Sequence, residues 1–275
     1  MHARESNPGE SRRLALNIRR KIIEMSASPT GVHIGGSISI SDLLAVLYAE
    51  VLRRPSDREA LHRDHLILSK GQASAALYAA LASTGAIPEA ECATYAQAGS
   101  RLGGHPMKRL PGVDFSTGAL GHGLPIGLGV ALAGRRFGHD KRSFVILGDG
   151  ELQEGANWEA AMAASHHGAD NLTAIVDRNE WQISGRTEDC LSLEPLADKW
   201  SSFGWRTLTI DGHDHDQIRT ALGKPSEAGR PTAVIARTVK AHLVPGLHDT
   251  KRSHSATLDR PARERALRAL EEVRT

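Results

Sequence analysis

Between residues 144 and 236 the chain alternates short, continuous apolar runs with segments of helical period. The runs are FVIL at 144–147, LTAIV at 172–176 and TAVIA at 232–236, and the mixed segment WRTLTI at 205–210 reads as a further strand. They are too short for helices and rich in Val and Ile, which predicts strands buried on both faces. Between them, 157–167, 193–203 and 214–222 repeat apolar residues at helical spacing, and Gly168 and Gly204 stand where the first two would stop. Strand followed by helix, repeated, leaves few topologies. Right-handed βαβ units build a parallel sheet with helices on both faces, an α/β fold. Ligands of such sheets sit beyond the carboxyl ends of the strands, so functional residues are expected just after each run.

The first half extends the pattern less regularly. Leu14, Ile18, Ile22 and Met25 predict an amphipathic helix over 11–26, and SPTGVHIGGS at 28–37 predicts turns. Residues 39–42 (SISD) suit the start of a second helix running through Leu43, Leu44, Leu47 and Val51. HLILS at 65–69 predicts a buried strand, alanine-rich 72–84 a helix ended by Gly85, glycine-rich 99–123 a loop, and 124–137 a small-residue helix. No internal repeat is present. The domain reading is a disordered tail at 1–10, one domain at 11–259 and an appended, charged amphipathic helix at 260–275.

A chain of 275 residues can bury a sizeable core. Its formal net charge of +2 gives no case for nucleic-acid binding. Cys92 and Cys190 lie far apart with no CxxC, which excludes a disulfide framework and argues against structural zinc. A reduced, cytoplasmic protein is expected. The polar N-terminus lacks the apolar segment of a secretory signal, and no run is expected to approach a membrane span.

The chemistry concentrates after the run at 144–147, where Gly148-Asp149-Gly150 follows, and after the next run, which leads into Asp177-Arg178-Asn179. In a parallel sheet both ends lie on one edge. Asp149 offers a carboxylate and Asn179 a side-chain carbonyl, hard oxygen donors suited to Mg²⁺ or Ca²⁺. The glycines let a diphosphate approach the backbone. Asp149 alone could be a helix cap; Asn179 at the same edge favours the metal reading. Other candidates read as structural. His213-Asp214-His215 follows a strand in a turn, and His166-His167 ends a helix, where cations are favoured. Gly121, Gly123 and Gly127 imitate a dinucleotide loop without its preceding strand or downstream acid. The basic C-terminal helix is an interaction or solvated face.

GDGELQEG at 148–155, followed by Trp158 and Glu159, resembles the transketolase form of the thiamine diphosphate fingerprint, with Asn179 at the family's spacing. SKG at 69–71, GHP at 104–106, STG at 116–118 with Leu120-Gly121, and LEPLADKW at 193–200 are similar to further family segments, in order, over roughly 11–255. The resemblance implies the thiamine diphosphate-binding fold of a diphosphate domain. It implies Mg²⁺ (or Ca²⁺) held by Asp149, Asn179 and the backbone carbonyl of Trp181. It implies cofactor contacts from His105, Gly118, Leu120, Gly148, Asp149, Gly150, Glu154, Asn179, Trp181 and Ile183. His33, His105 and His254 match histidines lining the cofactor and substrate channel. Glu154 and Glu159 match an acidic pair that connects paired active sites across a subunit interface.

The implied activity is two-carbon (ketol) transfer from a ketose donor to an aldehyde acceptor. It needs proton transfer at substrate oxygens, a role suited to histidines. In this family the glutamate that activates the aminopyrimidine comes from a second, pyrimidine-binding domain. The chain ends where the linker to that domain would begin. It therefore looks like the N-terminal component of a split transketolase, active only with a separate pyrimidine-domain partner, as an α2β2 heterotetramer.

Several residues depart from the family pattern: Gln72 for a histidine, His122 for a glutamine, KAHL at 240–243, and SHSAT at 253–257 around His254. They put ordinary sugar-phosphate substrates in doubt. The alternatives are a specialised carboligase with a non-sugar acceptor and a non-catalytic regulatory subunit that retains the fold. A 2-oxo acid decarboxylating component is disfavoured by the transketolase form of GDGELQEG.

Overall fold

The computed structural model describes residues 8–53, 62–223 and 227–272. Five strands, β1 (His65–Leu68), β2 (Ser143–Gly148), β3 (Leu172–Arg178), β4 (Arg206–Asp211) and β5 (Thr232–Arg237), form one sheet in the order β1-β2-β3-β5-β4. Every pairing is parallel, so all strand ends that carry candidate residues share one edge.

The pleat of the central strands divides their side chains between two cores. Phe144, Ile146, Ile175 and Val234 face one way, into the core built with α1 (Pro8–Met25), α2 (Ile34–Ile38), α3 (Ser41–Val46) and α4 (Ser74–Ser83). Val145, Leu147, Ala174, Val176 and Ile235 face the other way, toward α5 (Gly123–Arg136), α6 (Gly155–His166) and α8 (Leu196–Ser202). Such alternation follows from the two-residue period of a strand. The short α7 (Thr187–Cys190), α9 (His215–Gly223) and α10 (Arg260–Glu272) complete the element order. The predicted parallel sheet with helices on both faces is the observed architecture.

Some details differ from the sequence reading. The assigned tail at 1–10 is too long: helix α1 starts at Pro8, a residue whose fixed φ suits the first helical turn, while 1–7 lie outside the described residues. The appended helix is α10, with 273–275 outside the described residues. It packs on α1, and Ala266 and Leu270 are buried in the main core. The turn-rich stretch contains a short helix, α2, because Ile34 and Ile38 are buried in the core. At α3 no side chain caps the N-terminus; the Ser39 hydroxyl donates instead to Asp177 at 2.8 Å. Residues 34–51 do reach the length and apolarity of a minimal membrane span, correcting the expectation that no run approaches one. They are broken into α2, α3 and a π-helical turn (Leu47–Val51), and 78% of the stretch is buried inside the protein.

Candidate active site

A cavity of about 390 Å³ opens at the carboxyl edge of the sheet. The ends of β2 and β3 bring Gly148, Asp149, Gly150 and Asn179 into its wall. The loop before α5 supplies His105, Gly118 and Leu120, and the stretch after β3 supplies Trp181 and Ile183. His33 enters from the start of α2, His254 from the turn Lys251–His254, and Glu154 from the rim. Glu159 does not line the cavity. Glu154 precedes α6 at the sheet edge, whereas Glu159 lies more than a turn into that helix, exposed, and each helical residue advances about 1.5 Å from the helix start. Gln72, a departure from the family pattern, and Lys240 line the cavity. His122 does not: it is exposed, and its ring lies 3.2 Å from the Leu120 carbonyl.

The space is kept by glycines. A Cβ on Gly150 would meet Gln182 at 2.9 Å, and one on Gly121 would meet Glu154 at 2.7 Å. Gln182 also presents a buried side-chain oxygen without a hydrogen-bond partner on the cavity wall.

Asp149 is buried at the end of β2. Its Oδ1 accepts from the Gly150 amide at 2.8 Å, and its Oδ2 from the Glu180 amide at 2.6 Å and from Arg178 at 3.1 Å. Burial, then the negative charge of Asp177, pushes the Asp149 carboxyl up to about 6. Asp177 is fully buried and accepts from Ser39, Lys70, Thr238 and the Asn179 amide nitrogen. Burial opposes its ionisation, but the Lys70 charge and these bonds hold it below the ordinary carboxylate range. The bond from Asn179 Nδ2 to Asp177, 2.7 Å, turns the Asn179 carbonyl the other way, where it accepts from the Trp181 amide at 3.1 Å.

Lys70, Lys240, His33 and His254 give the cavity wall a basic part. Burial, then the charge of Lys70, pushes Lys240 down to about 8. Burial, then Lys240, His33 and Lys70, pushes His254 down to about 4. His33 is lowered by burial, then by His105 and the two lysines. Among the described residues no group of three or more His, Cys, Asp or Glu converges to close a metal shell. Two oxygen-bearing side chains on adjacent strands, a glycine cradle, an unpartnered acceptor and a cationic wall together fit a divalent ion shared with diphosphate oxygens and water.

Lys70, Asp177 and Glu151 are site residues that sequence reasoning missed. A signal existed for Lys70, since SKG follows β1 as GDG follows β2, at the same sheet edge. Arg178, only part of a spacer in the sequence, joins Asp149 to Glu188 and Glu194, at 2.8 and 3.0 Å, contacts made across loops that no spacing reveals.

The family model for "Transketolase, thiamine diphosphate binding domain" matches residues 11–270. A component chain of the apulose-4-phosphate transketolase of Actinobacillus succinogenes is 42% identical over 84% of this chain and 85% of its own length. The 6-deoxy-6-sulfo-D-fructose transketolase subunit SqwG of Clostridium sp. (strain MSTE9) is 41% identical over 82% and 83%. Among solved structures, the transketolase of Campylobacter jejuni superposes with a TM-score of 0.86 at 28% identity, over 94% of this chain but 43% of that one. This chain therefore spans less than half of that transketolase and most of the length of separately named transketolase subunits. It belongs to the transketolase family, as the part that binds thiamine diphosphate.

Proposed function

We propose that this chain is the diphosphate-binding component of a two-chain transketolase that moves a two-carbon ketol unit from a ketose to an aldehyde. The observation that carries this reading is the convergence of Asp149, Asn179, Gly118 and Gly150 with His33, His105 and His254 in one cavity. Thiamine diphosphate, when bound, supplies the carbanion and the electron sink for breaking a carbon–carbon bond next to a carbonyl. The chain's own residues bind, orient and move protons. Asp149, the Asn179 carbonyl and the backbone of Trp181 would hold Mg²⁺, and Gly118, Leu120 and Gly150 would admit the diphosphate. His33, His105 and His254 stand along the wall where substrate hydroxyls must gain and lose protons. Their presence weighs against a non-catalytic role.

The partner is proposed to be a separate pyrimidine-domain chain, with two copies of each chain in the assembly. The relatives named as subunits support this, since they match over most of their own length. Their named sugars carry an anionic group, so an anionic ketose is the substrate class we favour. Calorimetry tests the cofactor reading: thiamine diphosphate should bind with Mg²⁺ and lose affinity when the metal is chelated. Equal affinity with and without the metal would overturn it.

A further inference from the structure

The His213-Asp214-His215 motif is built around one buried carboxylate outside the cavity. Asp42, on α3, is paired with Arg19 of α1 through both of its oxygens. It also lies 3.0 Å from His215 Nε2 and 2.7 Å from His213 Nδ1. Burial would raise the Asp42 carboxyl, but the Arg19 charge and the histidine bonds hold it well below the usual carboxylate range. The other nitrogen of His213, Nε2, lies 2.9 Å from the backbone nitrogen of Val239. A backbone N–H only donates, so His213 Nε2 carries no proton and the ring proton on Nδ1 points at Asp42. The ring is further fixed by stacking on His242, with centroids 4.0 Å apart and planes 16° from parallel.

Both neighbours of Val239 serve the cavity. The Thr238 hydroxyl donates to Asp177, and the buried Lys240 lines the cavity with its ammonium 3.3 Å from His254 Nδ1. We infer that His213 is a positioning residue: held by Arg19 and Asp42, it grips the Val239 amide and so places Lys240, and through it His254, in the cavity wall. The relay runs from α1 and α3 through the turn after β4 to the segment after β5, joining helices remote from the cavity to its cationic wall.

Two substitutions separate positioning from simple satisfaction of Asp42. His213→Gln keeps an acceptor near the Nε2 position and loses the donor to Asp42. His213→Asn keeps a donor near the Nδ1 position and loses the acceptor for Val239. The full chain, labelled with ¹⁵N-histidine, is examined by long-range ¹H–¹⁵N spectra and by calorimetry with thiamine diphosphate and Mg²⁺. We expect a wild-type His213 protonated on Nδ1. In His213→Gln the His254 resonances should stay in place and the cofactor Kd change less than about two-fold. In His213→Asn the His254 resonances should shift and the Kd rise about ten-fold, the worth of one hydrogen bond. A merely structural role gives the reverse order, with Asn close to wild type and Gln disturbed. That order, an Nε2-protonated His213, or equal effects of the two variants would overturn the inference. Only the calorimetric arm rests on the thiamine diphosphate reading. If the wild type fails to bind that cofactor, that reading falls and the spectra alone decide the relay.

Discussion

Glu151 accepts the Gly121 amide at 2.9 Å and the Gly148 amide at 3.0 Å, so one buried carboxylate ties the glycine loop to the end of β2. The Ser69 hydroxyl donates to the same carboxylate, bringing in the end of β1. The loop that carries Gly118 and Leu120 is therefore placed from within the GDGELQEG motif. Glu151→Gln would set an amide NH₂ against a backbone N–H. The loss of one bond and the buried unsatisfied donor should cost about 1–3 kcal/mol and weaken thiamine diphosphate binding. Urea unfolding with an unchanged midpoint would contradict this.

Asp149→Ala should leave the fold intact and abolish metal-dependent binding. Arg178 keeps Glu188 and Glu194 as partners when Asp149 is removed, so no buried guanidinium is stranded. Thiamine diphosphate affinity in Mg²⁺ should fall at least about 100-fold, beyond the usual loss for a group that only supports a metal ligand. Calorimetry on protein with an unchanged circular dichroism spectrum checks this; unchanged affinity would reject the metal assignment.

The cationic wall carries a pH signature. His254 is held down to about 4, against an ordinary value of 6.5, by burial and then by Lys240. Between those values the unfolded chain binds a proton that the folded chain does not. Stability contributed by this site therefore rises with pH across the window and is lost as pH falls from 6.5 toward 4. Asp149, pushed up to about 6, acts with the opposite sign over part of the range, so the measurement must be a difference. His254→Gln should flatten the slope of stability against pH between about 4 and 6.5 relative to wild type. Parallel slopes would contradict the prediction. Lys240→Met should raise the His254 titration, seen by NMR.

Gln72 lines the cavity, and its side-chain amide has no hydrogen-bond partner among the described residues. An amide donates and accepts but does not take up a proton near neutral pH, as a histidine at that place would. The reconstituted enzyme should therefore use xylulose 5-phosphate poorly compared with its own donor. High steady-state turnover on that sugar would show that Gln72 does not set the preference.

The sheet was legible because four of its five strands carry near-continuous apolar runs bounded by glycine and polar residues, and because parallel pairing puts their ends on one edge. That logic places Asp149 and Asn179 together without knowledge of any contact. It fails where packing overrides local pattern. Ile34 and Ile38 draw a glycine- and serine-rich stretch into α2, and Ala266 and Leu270 seat α10 in the core. The Lys70–Asp177 pair joins residues distant in sequence, and nothing in either segment announces the other. Resemblance pairs Glu159 with Glu154 as acids at a subunit interface, a role that does not need Glu159 in the cavity lining, which it does not join. The structural reading of His213 and His215 agrees with the Asp42 bonds, but the contact with Val239 gives His213 a link to the cavity that spacing does not reveal.

We propose that a second chain completes the catalytic site. Glu154 and Glu159 are both exposed, and a partner seated over the cavity mouth and the start of α6 would meet Glu154 first. The most direct test is two-carbon transfer across a panel of ketoses by the purified chain, saturated with thiamine diphosphate and Mg²⁺, alone and with a pyrimidine-domain transketolase chain from the same source. The expected result is no transfer by the chain alone and turnover once the partner is added. Robust turnover by the isolated chain would contradict it, because the activating glutamate would then have to lie within these 275 residues.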